Sequence, residues 1–275
     1  MDSVQINSTG TGFEAREIPC VKGRSLAGSL VKKSLFIVIF LAAWQVLPME
    51  NIVNPQFVPP LSDVIVALVG MIISGELLMN FLASFQRVFF GFGLALAVGI
   101  PLGLFMGRYK LFEELVDPLL QLFRNVSSLA IYPVFILILG LGDPSKVAVL
   151  FMAALWPILL NTISGVKNVD PLLIKSARSM ALSDFAIFKN VVIPSAVPSI
   201  ASGIRLSASI AIVVLVAAEM IGANSGLGFL IINAQYDFQV PKMYAAIVTL
   251  MVIGFIVNYG LVWMETKATS WKEEI

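Results

Sequence analysis

Five ionisable residues fall within or at the margins of otherwise apolar stretches: Arg87, Asp117, Arg124, Arg205 and Glu219. Charge held in hydrocarbon is costly, so each such group needs a partner or a task. A guanidinium presents a planar fork of N–H donors that fits a carboxylate or a sulphonate through two parallel hydrogen bonds. Arg87 and Arg124 can therefore attract an anion into a cavity. They can also pair with carboxylates or helix ends and simply hold helices in place, the commoner use of such residues. Glu219, near the outer end of its stretch, suits a gate or a structural ion pair. Asp117 and Arg205 lie towards the cytoplasmic ends of theirs, where the long arginine stem can snorkel to the interface. Around Arg205 run the small residues Ser202, Gly203, Ser207, Ala208, Ser209 and Ala211. Such residues let helices approach closely, and packing is their default role; Ser207 is the candidate among them for lining a pathway.

A second kind of chemistry, contact with another protein, is written into the polar segment 167–194. Asp170 followed by Pro171 is a helix start, a capping side chain and then proline at the first helical position. Leu173, Ala177 and Met180 follow at helical spacing on one apolar face, with Lys175, Arg178 and Ser179 on others. Ser183 can cap a second short helix over 184–190, after which Pro194 and Pro198 are expected to interrupt the chain. The expected form is a helix, a tight corner and a second helix.

The elements that position these groups follow from composition. Hydrophobic residues make up 58% of the 275 residues and charged residues 13%, with a mean hydropathy of +0.92. Soluble domains carry about 25% charged residues, so the chain reads as an all-α polytopic membrane protein. The single cysteine, Cys20, precludes an internal disulfide. The lack of any histidine removes histidine-based metal sites, nucleophile dyads and proton relays. With a net charge of +1 and no basic stripe, nucleic acid is not an expected partner.

Six stretches are long and apolar enough to be read as crossings: 26–47, 80–106, 115–139, 145–166, 199–221 and 243–264. Thirteen Lys and Arg residues fall in the segments on one side of these spans, and only Lys146 and Lys242 on the other. The positive-inside rule then puts both termini in the cytoplasm. Residues 1–25 are polar and lack a signal-peptide pattern, and are expected to be a disordered cytoplasmic tail. Residues 26–79 would hold the first crossing and an external helix, 80–264 the core with its cytoplasmic loop, and 265–275 a second cytoplasmic tail. The segment 59–75 fits an amphipathic helix on the outer surface or a loop helix packed on the bundle. The glycine-broken segment 224–241 either dips back to the bundle or docks an external partner.

The segment 167–194 resembles the cytoplasmic loop of the membrane subunits of bacterial ATP-binding-cassette importers of the type I fold. The family mark is Glu-Ala-Ala, a glycine four positions on, and Ile-x-Leu-Pro ten positions after the glycine. Here those positions hold Lys175-Ser176-Ala177, Ala181 and Val191-Val192-Ile193-Pro194, with the spacing intact. Two departures matter. Lys175 puts in doubt any ion pair of the family glutamate. Ala181 fits the glycine position comfortably only if the corner residue has negative φ. Further strings resemble the branch that imports sulphonates, taurine, nitrate and related small anions. They are Ser84-Phe85-Gln86-Arg87, Val98-Gly-Ile-Pro-Leu-Gly103, Asp117-Pro118, Pro157-Ile-Leu-Leu-Asn161 and Ala218-Glu219 through Gly228.

The resemblance implies a bacterial inner-membrane permease subunit that works as a dimer with a second, identical copy in the lipid bilayer. Two cytoplasmic ATPase subunits would carry ATP and Mg, and an external binding protein would deliver substrate. The chain has no phosphate loop of its own, so no cofactor is expected on it and it is expected not to be a catalyst. The contact with the ATPase is expected at Ser176, Ala177, Arg178, Ser179, Met180, Ala181, Leu182 and Ser183, with Leu173, Ala177 and Met180 alternatively packing the loop on its own bundle. Arg87, Arg124, Ser207 and Glu219 are the candidates for pathway or gate. An ion-gradient-driven secondary transporter is the alternative. It would favour midplane carboxylates in repeated halves, and no internal repeat is visible.

Overall fold

The computed structural model of the protein describes residues 26–269, and these form helices joined by short turns. The expected tail at 1–25 and the last residues of the second tail lie outside the described residues. In chain order the helices are α1 (Leu26–Met49), α2 (Leu61–Ile73), α3 (Glu76–Arg108), α4 (Lys110–Arg124), α5 (Ser128–Leu139), α6 (Asp143–Lys167), α7 (Pro171–Ser179), α8 (Asp184–Ile187), α9 (Ile193–Gly222), α10 (Leu227–Tyr236) and α11 (Val240–Ala268).

The centre is the triple packing of α3, α6 and α9. On α3, Gly91, Ala95, Gly99, Gly103 and Gly107 recur at every fourth residue, so one face carries almost no side chain. α6 lies in that trough: the glycines at 91, 99, 103 and 107 face Leu150, Ile158, Thr162 and Val166 respectively. A Cβ on Gly103 would sit 2.6 Å from the Thr162 Cβ, closer than atoms pack. Backbone contact at this range is how helices associate where hydrocarbon surrounds them and burial of apolar surface gives no drive. Gly203 against Asn161, and Gly165 against Ser199, bring α6 and α9 together in the same way.

Among the described residues, four helical stretches are long and apolar enough to cross a bilayer: Glu76–Arg108, Asp143–Lys167, Asp184–Gly222 and Val240–Lys267. They match the expected second, fourth, fifth and sixth crossings with longer ends. The expected crossing 115–139 is not one continuous helix. It breaks after Arg124, and α4 and α5 meet at 93°. Glu113, Glu114, Asp117, Gln121 and Arg124 form one polar stripe along α4, and a helix with such a stripe cannot be ringed by hydrocarbon. An adjoining side packs Phe112, Val116 and Leu120 on Met106 and Leu159. The bent pair supplies at most one further crossing. α1 keeps the side chains of Leu35 through Leu41 exposed and rests on α2, where Gln45 accepts from the Ser62 backbone N–H.

Pro194 and Pro198 do not interrupt the helix as expected. A π-helical turn, Phe188–Val192, joins α8 to α9, and the Ile193 N–H reaches the Phe188 carbonyl. The widened turn accommodates Pro194, which has no N–H to offer. The rod from Asp184 to Gly222 is therefore continuous for 39 residues.

On the outer side α2 is packed on the bundle. Val64 and Met71 are buried against Leu230, Ile231, Ala245 and Ala246, while Ile65, Val69 and Ile72 stay exposed. The segment after Gly222 dips back: Leu227, Leu230, Ile231 and Ala234 of α10 are buried on α9, α11 and α3.

Candidate functional site

The two ends of the 39-residue rod carry the polar chemistry of the molecule. At the outer end Glu219 is fully buried, at 0% exposure, in the last turns of α9. Its carboxylate accepts from the Ser84 hydroxyl at 2.8 Å, from Arg87 Nη1 at 2.6 Å and from the Gly228 N–H at 2.9 Å. Ser84 and Arg87 stand three residues apart on the same face of α3, which brings both to one carboxylate. Arg87, itself 4% exposed, makes three further hydrogen bonds. Nε donates to Asp143 at 2.8 Å, Nη1 to the Ser225 carbonyl at 2.7 Å and Nη2 to the Ser225 hydroxyl at 3.1 Å. Asn80, one turn before Ser84, accepts from the Gly226 N–H. The Leu227 N–H donates to the Ser84 oxygen.

This network ties the turn between α9 and α10 to α3 and to the start of α6. The turn needs glycine at 226, where φ is +119 and a Cβ would lie 2.4 Å from the Glu219 carboxyl carbon. A buried charge pair is tolerable only when its remaining donors and acceptors are met, and here every Glu219 oxygen has a partner. Arg87 and Glu219 thus form a buried ion pair whose partners lie within the chain. Tyr132 on α5 extends the polar cluster by donating to the Ala218 carbonyl.

At the other end, α7 and α8 are set by local rules. The Asp170 carboxylate caps α7 by accepting from the Leu172 N–H, and the Ser183 hydroxyl caps α8 by accepting from the Ala186 N–H. Between them the Ala181 N–H reaches the Arg178 carbonyl and the Leu182 N–H reaches the Ala177 carbonyl. That pair of bonds is the Schellman closure, which demands a left-handed residue at the corner. Ala181 has φ +56. The favourable case for alanine, negative φ, is not the one realised: the family's glycine position is left-handed here and alanine occupies it under strain.

The apolar face expected of α7 is divided. Ala177 is 5% exposed and packs with Val166, Val169, Ile187 and Ala196, anchoring the loop to its own bundle. Leu173 and Met180 are exposed, as are Leu172, Leu182 and Phe185. Arg178 is 68% exposed on its side chain and stands 3.9 Å from the equally exposed Asp184. Ser176, Ser179 and Lys175 face outward too. Beside the loop, a cleft of about 650 Å³ lies between α3 and α8, lined by Phe105, Arg108, Tyr109, Asp184, Phe185 and Phe188. An ion pair between Lys167 and Glu113 braces α6 against α4 on this side.

The structure joins Arg87 to Glu219 and leaves the other two pathway candidates apart. Arg124 is exposed at the α4–α5 bend with no partner among the described residues. Ser207 is fully buried, its hydroxyl donating to the Ile204 carbonyl, and so belongs to the helix packing of α9. Asp117 takes a hydrogen bond from Gln121 on the polar stripe of α4. Sequence reasoning missed Asn80, Asp143 and Ser225 as members of the outer network. The spacing of Asn80, Ser84 and Arg87 along one helical face was the available signal.

A family model described as binding-protein-dependent transport system inner membrane component matches residues 99–270. The chain is 37% identical over 249 residues to a protein assigned as an ABC transporter permease in Methanocaldococcus jannaschii, covering 89% of this chain and 93% of that one. It is 33% identical over 242 residues to a protein assigned as an aliphatic sulfonates transport permease in Bacillus subtilis, covering 88% of each. Among solved structures, the inward-facing MetNI methionine ABC transporter matches with a TM-score of 0.59 at 18% identity, over 72% of this chain and 98% of that chain. The described helices therefore have the fold of an ABC importer permease, and the chain belongs to the binding-protein-dependent transport system inner membrane component family.

Proposed function

We propose that the chain works as one of two identical permease subunits, with α1 completing its crossings and both termini in the cytoplasm. Two cytoplasmic ATPases bind the loop between α6 and α9, and an external binding protein delivers a small anion such as a sulphonate, taurine or nitrate. ATP and Mg reside on the ATPases, and this chain supplies the path and the linkage. Family membership sets aside the gradient-driven alternative.

One observation carries the loop assignment. α7 and α8 are rigidly capped, yet they hold out Leu172, Leu173, Met180 and Phe185 to solvent. Exposed apolar side chains on a fixed scaffold suit insertion into a partner's groove. Ser176, Arg178, Ser179, Leu182 and Ser183 frame that surface, while Ala177 and Ala181 fix its inner side and its corner. The mechanical route is the rod itself. At 1.5 Å per residue, Asp184–Gly222 spans roughly 58 Å, from the corner of the loop to the Glu219 network. A push on α8 thus moves α9, and with it the turn that Arg87 and Ser84 hold, without a flexible joint between.

The test is purification of the tagged chain in mild detergent, with mass spectrometry of the proteins that accompany it. A stoichiometric ATPase whose turnover rises with a loaded binding protein supports the proposal. A chain that purifies alone and transports on an ion gradient without ATP overturns it.

A further inference from the structure

A groove of about 240 Å³ runs along the outside of the bundle between α3 and α11, floored by α9. Phe85 and Val88 form one wall, Ile253 and Val257 the other, and Ala208 and Ala211 the floor. Ser84 is the sole polar side chain in the lining, and its hydroxyl is already engaged with Glu219 and with the Leu227 N–H. From Leu250 to Leu261 the groove follows α11 for about 16 Å. It opens sideways onto exposed apolar residues of both helices, among them Phe89, Phe255 and Ile256. In the permease reading, the medium that meets it is hydrocarbon.

The groove ends on a charged group. Arg205 lies one turn below Ala208 on the same face of α9, and Glu265 one turn below Leu261 on the same face of α11. Arg205 Nη1 stands 2.9 Å from a Glu265 oxygen, and the Ser202 hydroxyl donates to the other oxygen at 2.7 Å. Glu265 is thereby satisfied and half-buried. Arg205 keeps 44% of its side chain exposed, and its remaining N–H donors have no partner among the described residues. A planar guanidinium fork with free donors matches a phosphate diester. An apolar helix laid in the groove would cover those donors with hydrocarbon and leave them unmet.

We infer that this is a glycerophospholipid site, with one acyl chain in the α3–α9–α11 groove and the lipid phosphate on Arg205. The inference goes beyond the permease reading and takes from it only the membrane placement, with Arg205 towards the leaflet on the side of the loop.

The experiment is native mass spectrometry of the delipidated, detergent-purified complex titrated with phosphatidylglycerol or with diacylglycerol of the same chains. Phosphatidylglycerol is expected to bind about tenfold more tightly, equivalent to about 1.4 kcal/mol. Arg205→Gln should abolish that preference while leaving diacylglycerol binding unchanged, because the groove is intact. Ala208→Phe should displace both lipids. Should Ala208→Phe fail to fold, a photo-reactive benzoylphenylalanine at Ile253 replaces it, expected to give a lipid adduct in the detergent complex after one equivalent of phosphatidylglycerol. Equal binding of the two lipids to the unaltered protein overturns the inference, as does a photo-adduct to a peptide of a second copy. Neither result bears on ATPase association, so the permease reading stands or falls separately.

Discussion

The two ends of the helix from Asp184 to Gly222 solve opposite problems. At the outer end, a carboxylate and a guanidinium are taken out of solvent and each of their nitrogens and oxygens is engaged within the chain: Ser84, Asp143, Ser225 and Gly228 complete what Arg87 and Glu219 begin. At the loop end, the charges are held apart. Arg178 and Asp184 are 3.9 Å from each other and both exposed, and five large apolar side chains stand in solvent. An exposed pair of that kind contributes about 0–1 kcal/mol. A polar network that satisfies itself can fix a shape but offers no handle to a partner. A rigid corner that leaves its apolar groups bare cannot be explained by its own fold, and points to a second molecule.

The sharpest way to break this contrast is to remove one member of the outer pair. Glu219→Ala leaves Arg87 buried with its strongest acceptor gone, and the expected loss is about 3–5 kcal/mol. Thermal unfolding in detergent should show a large drop in midpoint. Arg87→Met combined with Glu219→Leu should be less damaging than Glu219→Ala alone, because no unpaired charge remains. If the double variant also keeps uptake, the pair is a staple; if it is stable and inactive, the pair takes part in gating.

Next in size is Gly226→Ala. The backbone there has φ +119 and the new methyl would fall on the Glu219 carboxyl group. Forcing the turn outward is expected to cost about 1–3 kcal/mol, again read as a lower unfolding midpoint. A midpoint equal to the unaltered protein's would mean that the turn is not held by the network.

How far these regions could be read from sequence differs for physical reasons. The helices of the core announce themselves because hydrocarbon demands long apolar runs, and α3, α6, α9 and α11 all contain their expected spans. The loop is legible because caps are local: Asp170 and Ser183 make the bonds their spacing implies. The α4–α5 bend was hidden, because a sum of hydropathy over 115–139 ignores that Asp117, Gln121 and Arg124 share one side of a helix. The every-fourth-residue trough from Gly91 to Gly107 was in plain view, yet its use depends on which helix lies in it. The partnership of Arg87 with Asp143 joins residues 56 apart in sequence, and no local pattern encodes it.

A smaller effect, of opposite sign, is expected at the loop. Ala181 sits at φ +56 in a closure that favours glycine. A left-handed L-residue costs about 1–2 kcal/mol, and glycine returns part of that through its greater freedom when unfolded. Ala181→Gly should therefore stabilise the protein by about 0.5–1 kcal/mol. The gain should concentrate in slower hydrogen exchange of the amides of Ala181 and Leu182, which close the corner. Unchanged exchange there would mean that the strain is relieved in some other way.

The smallest change in stability belongs to Arg178→Glu, and it separates the two ends most cleanly. Arg178 is exposed and its one ion pair is long, so reversing its charge should move the unfolding midpoint by the equivalent of about 0.5 kcal/mol or less. The new carboxylate would nevertheless stand beside Asp184 at the corner that the ATPase is proposed to grip. Uptake in cells expressing matched amounts of protein should be lost, together with co-purification of the ATPase. Normal uptake would move the docking surface away from Arg178, and a large fall in the midpoint would show that the corner is held by its own charges after all. Only a stable protein that cannot engage its motor fits a loop whose exposed residues are kept for a partner.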